Sequence, residues 1–221
     1  MLQKATADFL VQLDKNNNKP WFDANRSSYE TAKKDFEQFI DAVLREAETL
    51  IPELTGRKAK DAIFRIYKDV RFAKDKTPYK NNMGAGFGKF EKNKMNAAGY
   101  YIHFQPGACF VGGGLWMPDA SGLKAIRQEI DYNWAAFQSI VGKASFKKMF
   151  GTLDQDQKLK TLPKGYDADN PAIEYLKLKS FTVGRPLQEE EFYKKNAVKM
   201  ILDSIKEMKP FVDFLNTAVE V

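Results

Sequence analysis

The feature that most constrains the fold is the position of the strand-like segments. Apolar and polar side chains alternate mostly between residues 63 and 114, with one further brief segment at Phe181-Thr182-Val183, and this alternation indicates strands. Apolar residues at steps of three and four flank this region on both sides and indicate helices. This order predicts an α+β fold, a single domain over residues 1–221, in which a mainly antiparallel sheet from the middle of the chain is packed by N- and C-terminal helices.

The first alternating segment, residues 63–72, organises the rest of the prediction. Its apolar side chains fall on one face of a strand, and we expect it to pair with residues 99–114 in one sheet. Thr77-Pro78 then indicates an ordered turn, because proline fixes its own φ and restricts the residue before it. The other face of the strand is polar and carries Arg65, Tyr67, Asp69 and Arg71.

Three further segments have distinct patterns. A long amphipathic helix is predicted from about Ser28 to Leu50, covering a face of the sheet, with a capping box formed by Ser27 and Glu30. A last long helix is predicted to begin at Glu189, where three glutamates favour the positive end of a helix dipole. Residues 83–89 are rich in glycine and are predicted to be a loop, and their spacing fits neither phosphate-binding nor dinucleotide-binding motifs.

The positive charge of the chain is concentrated in one segment. Residues 57–94 contain twelve lysines and arginines against four acids, a net charge of +8, whereas the whole chain carries +6. The remainder is therefore about neutral. A local basic segment of this kind predicts an anionic ligand at one place on the protein.

Composition limits the other function classes. The only cysteine is Cys109, so no intramolecular disulfide can form, and a reducing, cytoplasmic location is predicted. No signal peptide or transmembrane segment is expected, and no membrane partner is predicted. One histidine and one cysteine cannot make a zinc site without carboxylates, so the sequence indicates no metal and no cofactor.

The candidate site is a pocket for an anionic or phosphorylated small molecule. Arginine suits such ligands because its guanidinium can bind phosphate or carboxylate in a bidentate manner. Arg71 is the expected centre, because the turn can fold later side chains toward it, whereas Arg65 is expected to pair with a carboxylate. Asp69 and His103 are the candidates for acid–base catalysis. The candidate ligand-binding residues are Arg65, Tyr67, Arg71, Lys76, Tyr79, Lys80 and Tyr101.

Two alternatives remain open at this point. The basic segment has interleaved aromatic residues and could act as a surface that binds nucleic acid or another protein. The same polar residues could instead form a structural network of ion pairs with no ligand. The sequence does not decide whether the chain is an enzyme, and it does not indicate an oligomeric state.

Several blocks of the sequence resemble the domain of unknown function 2461 family. The central block is Phe64-Arg65-Ile66-x-x-Asp69-Val70-Arg71-Phe72-x-Lys74-Asp75-Lys76-x-Pro78-Tyr79-Lys80. Blocks around Trp21-Phe22, Gly112-Gly113-Gly114 and Leu178-Lys179-Ser180-Phe181 extend the resemblance over nearly the whole chain. The resemblance implies a mostly bacterial protein of compact α+β form. It implies no activity and no catalytic residues, because that family has no assigned chemistry.

Overall fold

The computed structural model describes residues 1–71, 74–88 and 97–219 and shows an α+β fold, as predicted. None of the helices in these ranges is long and apolar enough to span a lipid bilayer. The helices are α1 (Lys4–Lys15), α2 (Lys19–Ala24), α3 (Arg26–Ala47), α4 (Ala59–Ala62), α5 (Ala120–Tyr132), α6 (Trp134–Val141), α7 (Ala144–Phe150), α8 (Ile173–Leu176), α9 (Glu189–Phe192) and α10 (Ala197–Val219). The strands are β1 (Met83–Gly88), β2 (Gly99–Phe104), β3 (Cys109–Leu115) and β4 (Phe181–Leu187).

The four strands form one antiparallel sheet in the order β1-β2-β3-β4, so each strand pairs with its neighbour along the chain. Glycine is required where β3 meets β4. Gly114 has a φ of 124°, and a Cβ there would lie 2.0 Å from the carbonyl oxygen of Phe181. Only a residue without a side chain allows the two backbones to approach this closely.

The prediction of the first strand was wrong, and the glycine-rich loop replaces it in the sheet. Within the described part of residues 63–72, only isolated bridges occur, from Ile63 to Ala85 and from Tyr67 to Tyr79. Phe72 lies outside the described residues. Residues 83–88 form the edge strand β1 because small side chains fit the crowded space beside β2.

The boundaries of two predicted helices were also wrong. α3 begins at Arg26, so Ser27 lies inside the helix and no capping box forms there. The apolar stripe of α3 is nevertheless buried, as the periodicity predicted. At the other end of the chain, Glu189 opens only the short helix α9, capped by Gln188 and Glu191, and the long helix α10 starts eight residues later.

Contacts at both ends of the chain hold the sheet against helices. Phe192 of α9 contacts Phe104 of β2 edge-on, with ring centroids 5.1 Å apart, and lies 5.8 Å from Phe39 of α3. Asn216 of α10 accepts a hydrogen bond from the backbone N–H of Ala98 (2.8 Å) and donates to its carbonyl (3.2 Å). The sheet is therefore packed by N- and C-terminal helices, as predicted.

The described residues form two compact units. The first comprises Met1–Gly86, Tyr101–Val111 and Pro186–Leu202. The second comprises the described residues of Phe87–Tyr100, Gly112–Arg185 and Asp203–Val221. All side chains of the candidate site lie in the first unit. That the chain is a single domain stays a prediction.

Candidate functional site

Within the basic segment, residues 63–71 form the first arm and residues 74–85 the second arm of an irregular hairpin. Between the pairings at Lys80 and Gly84, the second arm has three residues where the first arm has one, so the hairpin bulges at that point. Three backbone hydrogen bonds join the arms, from Phe64 N to Gly84 O (2.9 Å), from Lys68 N to Pro78 O (2.9 Å) and from Lys80 N to Ile66 O (2.8 Å).

Two of the predicted ligand-binding tyrosines anchor this hairpin on the N-terminal helices. The ring of Tyr79 is buried and stacks on Phe22, with centroids 4.0 Å apart. Tyr67 lies 5.4 Å from Tyr79 and remains 45% exposed. Asn17 donates to the carbonyl of Tyr79 (2.9 Å) and accepts from its N–H (3.1 Å), which fixes the backbone of the second arm. Tyr79 is therefore mainly a packing residue in this structure.

Arg71 and Asp69 form a bidentate ion pair at the tip of the hairpin. Arg71 Nε lies 3.0 Å from Asp69 Oδ1, and Nη2 lies 2.7 Å from Oδ2. The hydrogen bonds from Arg71 lower the pKa of Asp69 to about 2. A carboxylate with so low a pKa stays ionised near neutral pH, which makes it a poor proton donor or acceptor there.

The rest of the tip is held by Asp75 and Lys76. Lys68 pairs with Asp75, which also accepts hydrogen bonds from the backbone N–H (2.9 Å) and the hydroxyl (2.8 Å) of Thr77. The bond from Lys68, with those from Thr77, lowers the pKa of Asp75 to about 2. Lys76 donates to the carbonyl of Val70 (2.9 Å). The charged side chains at the tip are thus bound to other groups of the protein. This arrangement is the one expected from the alternative in which the polar residues form a structural network of ion pairs.

A second group of side chains lies at the open end of the hairpin, beside β2. Lys80 Nζ lies 5.6 Å from the ring centroid of Phe64. The rings of Phe64 and Tyr101 meet edge to face, with centroids 5.9 Å apart. The hydroxyl of Tyr101 lies 3.1 Å from His103 Nδ1, and His103 Nε2 lies 3.0 Å from Gln105 Oε1. We call this group the base cluster, and it consists of Phe64, Lys80, Tyr101, His103, Gln105 and Phe110.

The imidazole of His103 lies between two hydrogen-bond partners in the base cluster. Gln105 Oε1 can only accept, so Nε2 of His103 carries a proton, and in the neutral imidazole Nδ1 then accepts from the hydroxyl of Tyr101. The imidazole also stacks on Phe110, with centroids 4.8 Å apart. Burial lowers the pKa of His103, although the bond to Gln105 opposes this shift. The cluster thus holds a neutral imidazole next to a phenol.

Lys80 is the cation of the base cluster. Its side chain is half-buried, and burial lowers its pKa, with a further contribution in the same direction from Arg65. Within the described ranges, neither Lys80 nor Arg65 has a carboxylate within 4 Å. Arg65 is exposed, and the carboxylate partner expected from the sequence is not found among these residues. In this part of the structure the two cations therefore form no ion pair within 4 Å, although the charge of Arg65 contributes to the lowered pKa of Asp69.

Sequence reasoning missed three residues of this region: Gly84, Gln105 and Phe110. Gln105 could have been found, because Tyr101, His103 and Gln105 are spaced two apart and so share one face of β2 and its extension. Gly84 could not have been found, because its role depends on its partner strand. A Cβ at Gly84 would lie 2.3 Å from the hydroxyl oxygen of Tyr101, so glycine leaves the space that this hydroxyl occupies.

Metal ligands are not grouped in the described part of the chain. No set of three or more histidine, cysteine, aspartate and glutamate side chains in residues 1–71, 74–88 and 97–219 is arranged to hold an ion. Cys109 is buried, and burial raises the pKa of its thiol to about 11. Such a thiol is protonated at neutral pH and is a poor nucleophile or metal ligand.

The family model DUF2461, described as a conserved hypothetical protein, matches residues 5–214. The chain belongs to the DUF2461 family. No curated protein matches it. In this DUF2461 chain, two of the blocks that carry the resemblance meet directly, since Phe22 from the N-terminal block stacks on Tyr79 from the central block.

The residues predicted for the site of this DUF2461 protein fall into three places. The tip holds Asp69, Arg71 and Lys76, and the aromatic contact with α2 holds Tyr67 and Tyr79. The base cluster holds Lys80, Tyr101 and His103. Arg65 lies on the first arm, near enough to Lys80 to affect its pKa. The predicted site residues therefore lie in separate places and are not grouped around Arg71.

Proposed function

We propose that the base cluster binds a small anionic molecule, and that a phosphate monoester is the class that fits best. The observation that carries the proposal is the half-buried ammonium of Lys80, which has no carboxylate within 4 Å in the described ranges. A partly buried charge without a counter-ion is costly, and a bound anion would offset that cost.

Each side chain of the base cluster has a role in this proposal. Lys80 supplies three N–H donors, and Tyr101 supplies a hydroxyl that can turn from His103 to a ligand oxygen. Phe64 and Phe110 supply apolar walls on either side of Tyr101. Arg65 adds positive potential nearby, which attracts anions before contact.

The proposal moves the centre of the site from Arg71 to Lys80. The Nε and Nη2 donors of Arg71 are used in the ion pair with Asp69, and this carboxylate already offsets the charge of the guanidinium. Lys80 contacts an aromatic ring instead, and this contact leaves its N–H groups available to a ligand oxygen. The site centred on Arg71 remains the competing prediction.

Calorimetric titration with phenyl phosphate tests the proposal. We expect Lys80→Met to weaken binding by about 10- to 150-fold, the range for one hydrogen bond to a charged group, because methionine keeps the stem over Phe64 but removes the charge. Lys124→Met is the matched control, since Lys124 is exposed on α5. Benzyl alcohol serves as the uncharged probe and should not bind.

Two results of this titration would reject the proposal. The site at Lys80 is excluded if Lys80→Met binds phenyl phosphate as the wild type does, and Arg71→Ala then tests the competing site. If the protein binds a short single-stranded oligonucleotide but does not bind phenyl phosphate, the result favours the nucleic-acid alternative. We further propose a cytoplasmic location, which the single buried Cys109 supports.

A further inference from the structure

The first three helices enclose a groove that is separate from the base cluster. Its volume is about 530 Å³, within the range that is usual for small-molecule pockets. α1 and α3 supply its long walls, and Trp21 of α2 contributes an aromatic side chain. All lining residues lie between Gln3 and Asp35, in a continuously described part of the chain.

One wall of the groove is an aromatic surface. Trp21 is half-buried, and its ring stacks on the buried ring of Phe9, with centroids 6.2 Å apart and planes 30° apart. Phe9 in turn lies 5.9 Å from Tyr29. The stacking on Phe9 holds the indole in place, and aromatic faces of this kind suit apolar groups and cations.

The charged lining of the groove is entirely acidic. Asp8 and Asp35 line it, and among its lining residues, all of them described, there is no lysine or arginine. Asp35 Oδ2 accepts hydrogen bonds from the backbone N–H of Gln3 (2.9 Å) and the hydroxyl of Thr6 (2.5 Å). These bonds hold the carboxylate in one orientation.

The remaining oxygen of that carboxylate is available. In residues 1–71, 74–88 and 97–219, Asp35 Oδ1 has no hydrogen-bond partner, and neither Asp35 nor Asp8 has a lysine or arginine nitrogen within 4 Å. Among these residues the groove thus carries two carboxylates without a close cation, in a chain whose net charge is +6. Its charge is opposite to that of the basic hairpin.

We propose that this groove binds small organic cations of the alkylammonium class. Asp35 and Asp8 supply the negative charge, and Trp21 supplies the aromatic face that attracts an ammonium group and covers its alkyl substituents. Hydroxyl and amide groups, among them Ser28 and Asn25, complete the polar lining. The site does not depend on the anion proposed for the base cluster.

Choline and its uncharged isostere 3,3-dimethylbutan-1-ol test the site on the full chain. The three tryptophans give three indole N–H signals by NMR, and Trp21→Phe identifies the signal of Trp21. We expect choline at millimolar concentration to shift this signal saturably, whereas the alcohol leaves it in place. Asp35→Asn should weaken choline binding at least about tenfold, the loss expected for one charged contact.

Two further variants distinguish the loss of a groove carboxylate from a general effect on structure or charge. Asp8→Asn should also weaken choline binding, and it is informative even if Asp35→Asn disturbs the start of α1, because the Asp8 side chain caps no helix. Glu46→Gln is the matched control, an exposed acid on α3 outside the groove, and should bind choline as the wild type does. Equal binding of choline and the alcohol, no saturable shift, or unchanged affinity in both aspartate variants would overturn the proposal.

Discussion

Phe22 and Tyr79 stack face to face, with ring centroids 4.0 Å apart and planes only 13° apart. The two residues are 57 positions apart in the sequence, one on α2 and the other on the second arm of the hairpin. Their contact, with the bonds from Asn17, attaches the basic segment to the N-terminal helices. The position of the base cluster depends on this attachment, because Lys80 directly follows Tyr79.

Phe22→Ala should lower the free energy of unfolding by about 3–5 kcal/mol, because the side chain is fully buried and alanine leaves a cavity beside Tyr79. Urea denaturation monitored by circular dichroism measures this change. Tyr132→Ala is the control, since Tyr132 is 74% exposed, and should change stability by less than about 0.5 kcal/mol. Similar losses in the two variants would show that the stacked pair does not hold the hairpin.

Asn17→Ala should destabilise the protein by about 1–3 kcal/mol, because it leaves the N–H and the carbonyl of the buried Tyr79 without their partner. The adjacent Asn16→Ala is a matched control. Asn16 donates only to the carbonyl of Gln12 within its own exposed turn, so its loss should be smaller. Hydrogen exchange of the Tyr79 amide should quicken in Asn17→Ala alone, and unchanged exchange there would contradict this role.

The sequence was sufficient for the fold class and for most of the helices, because helical periodicity is local. It was insufficient for the hairpin. The side chains of residues 64–71 alternate between more buried and exposed as a strand would, yet the backbone makes only isolated bridges, since the second arm bulges after Lys80. Whether a glycine-rich segment joins a sheet depends on the strand with which it pairs. The need for glycine at position 84 is explained by the hydroxyl of Tyr101, which occupies the space that a side chain would fill.

The candidate site residues stay a prediction, and how they are grouped could be seen only from distances in the structure. Local spacing placed Tyr101 beside His103, and the structure shows that contact. The sequence could not show that Arg71 is satisfied by Asp69 two residues away while Lys80 lies over Phe64. Which charged groups are already paired is a property of tertiary structure.

The pKa of His103 should lie below its ordinary value of 6.5, because burial disfavours the imidazolium. The unfolded chain then binds a proton more readily than the folded chain. Stability is therefore full above about pH 6.5 and falls as the pH decreases through the lower pKa of the folded state. Because this is the only histidine, its NMR titration is unambiguous. A pKa at or above 6.5 would contradict the effect of burial on this imidazole.

Asp69 should titrate near pH 2 in the wild type, and its pKa should rise toward 3.8 in Arg71→Ala, because the guanidinium that stabilises the carboxylate is removed. The stabilisation from this pair is present above the ordinary pKa of the carboxyl and is lost as the pH falls through its folded pKa. Carboxyl ¹³C NMR measures both states. Asp75 is the internal control, since its partner Lys68 is intact in the variant and its pKa should stay depressed.

The central claim is that an anion binds at Lys80 in the base cluster, and the most direct measurement follows the ring signals of His103 during titration with phenyl phosphate. We predict a saturable shift in the wild type and in Arg71→Ala, and binding at least about tenfold weaker in Lys80→Met. Unmoved His103 signals, or a loss of binding in Arg71→Ala while Lys80→Met binds normally, would contradict it.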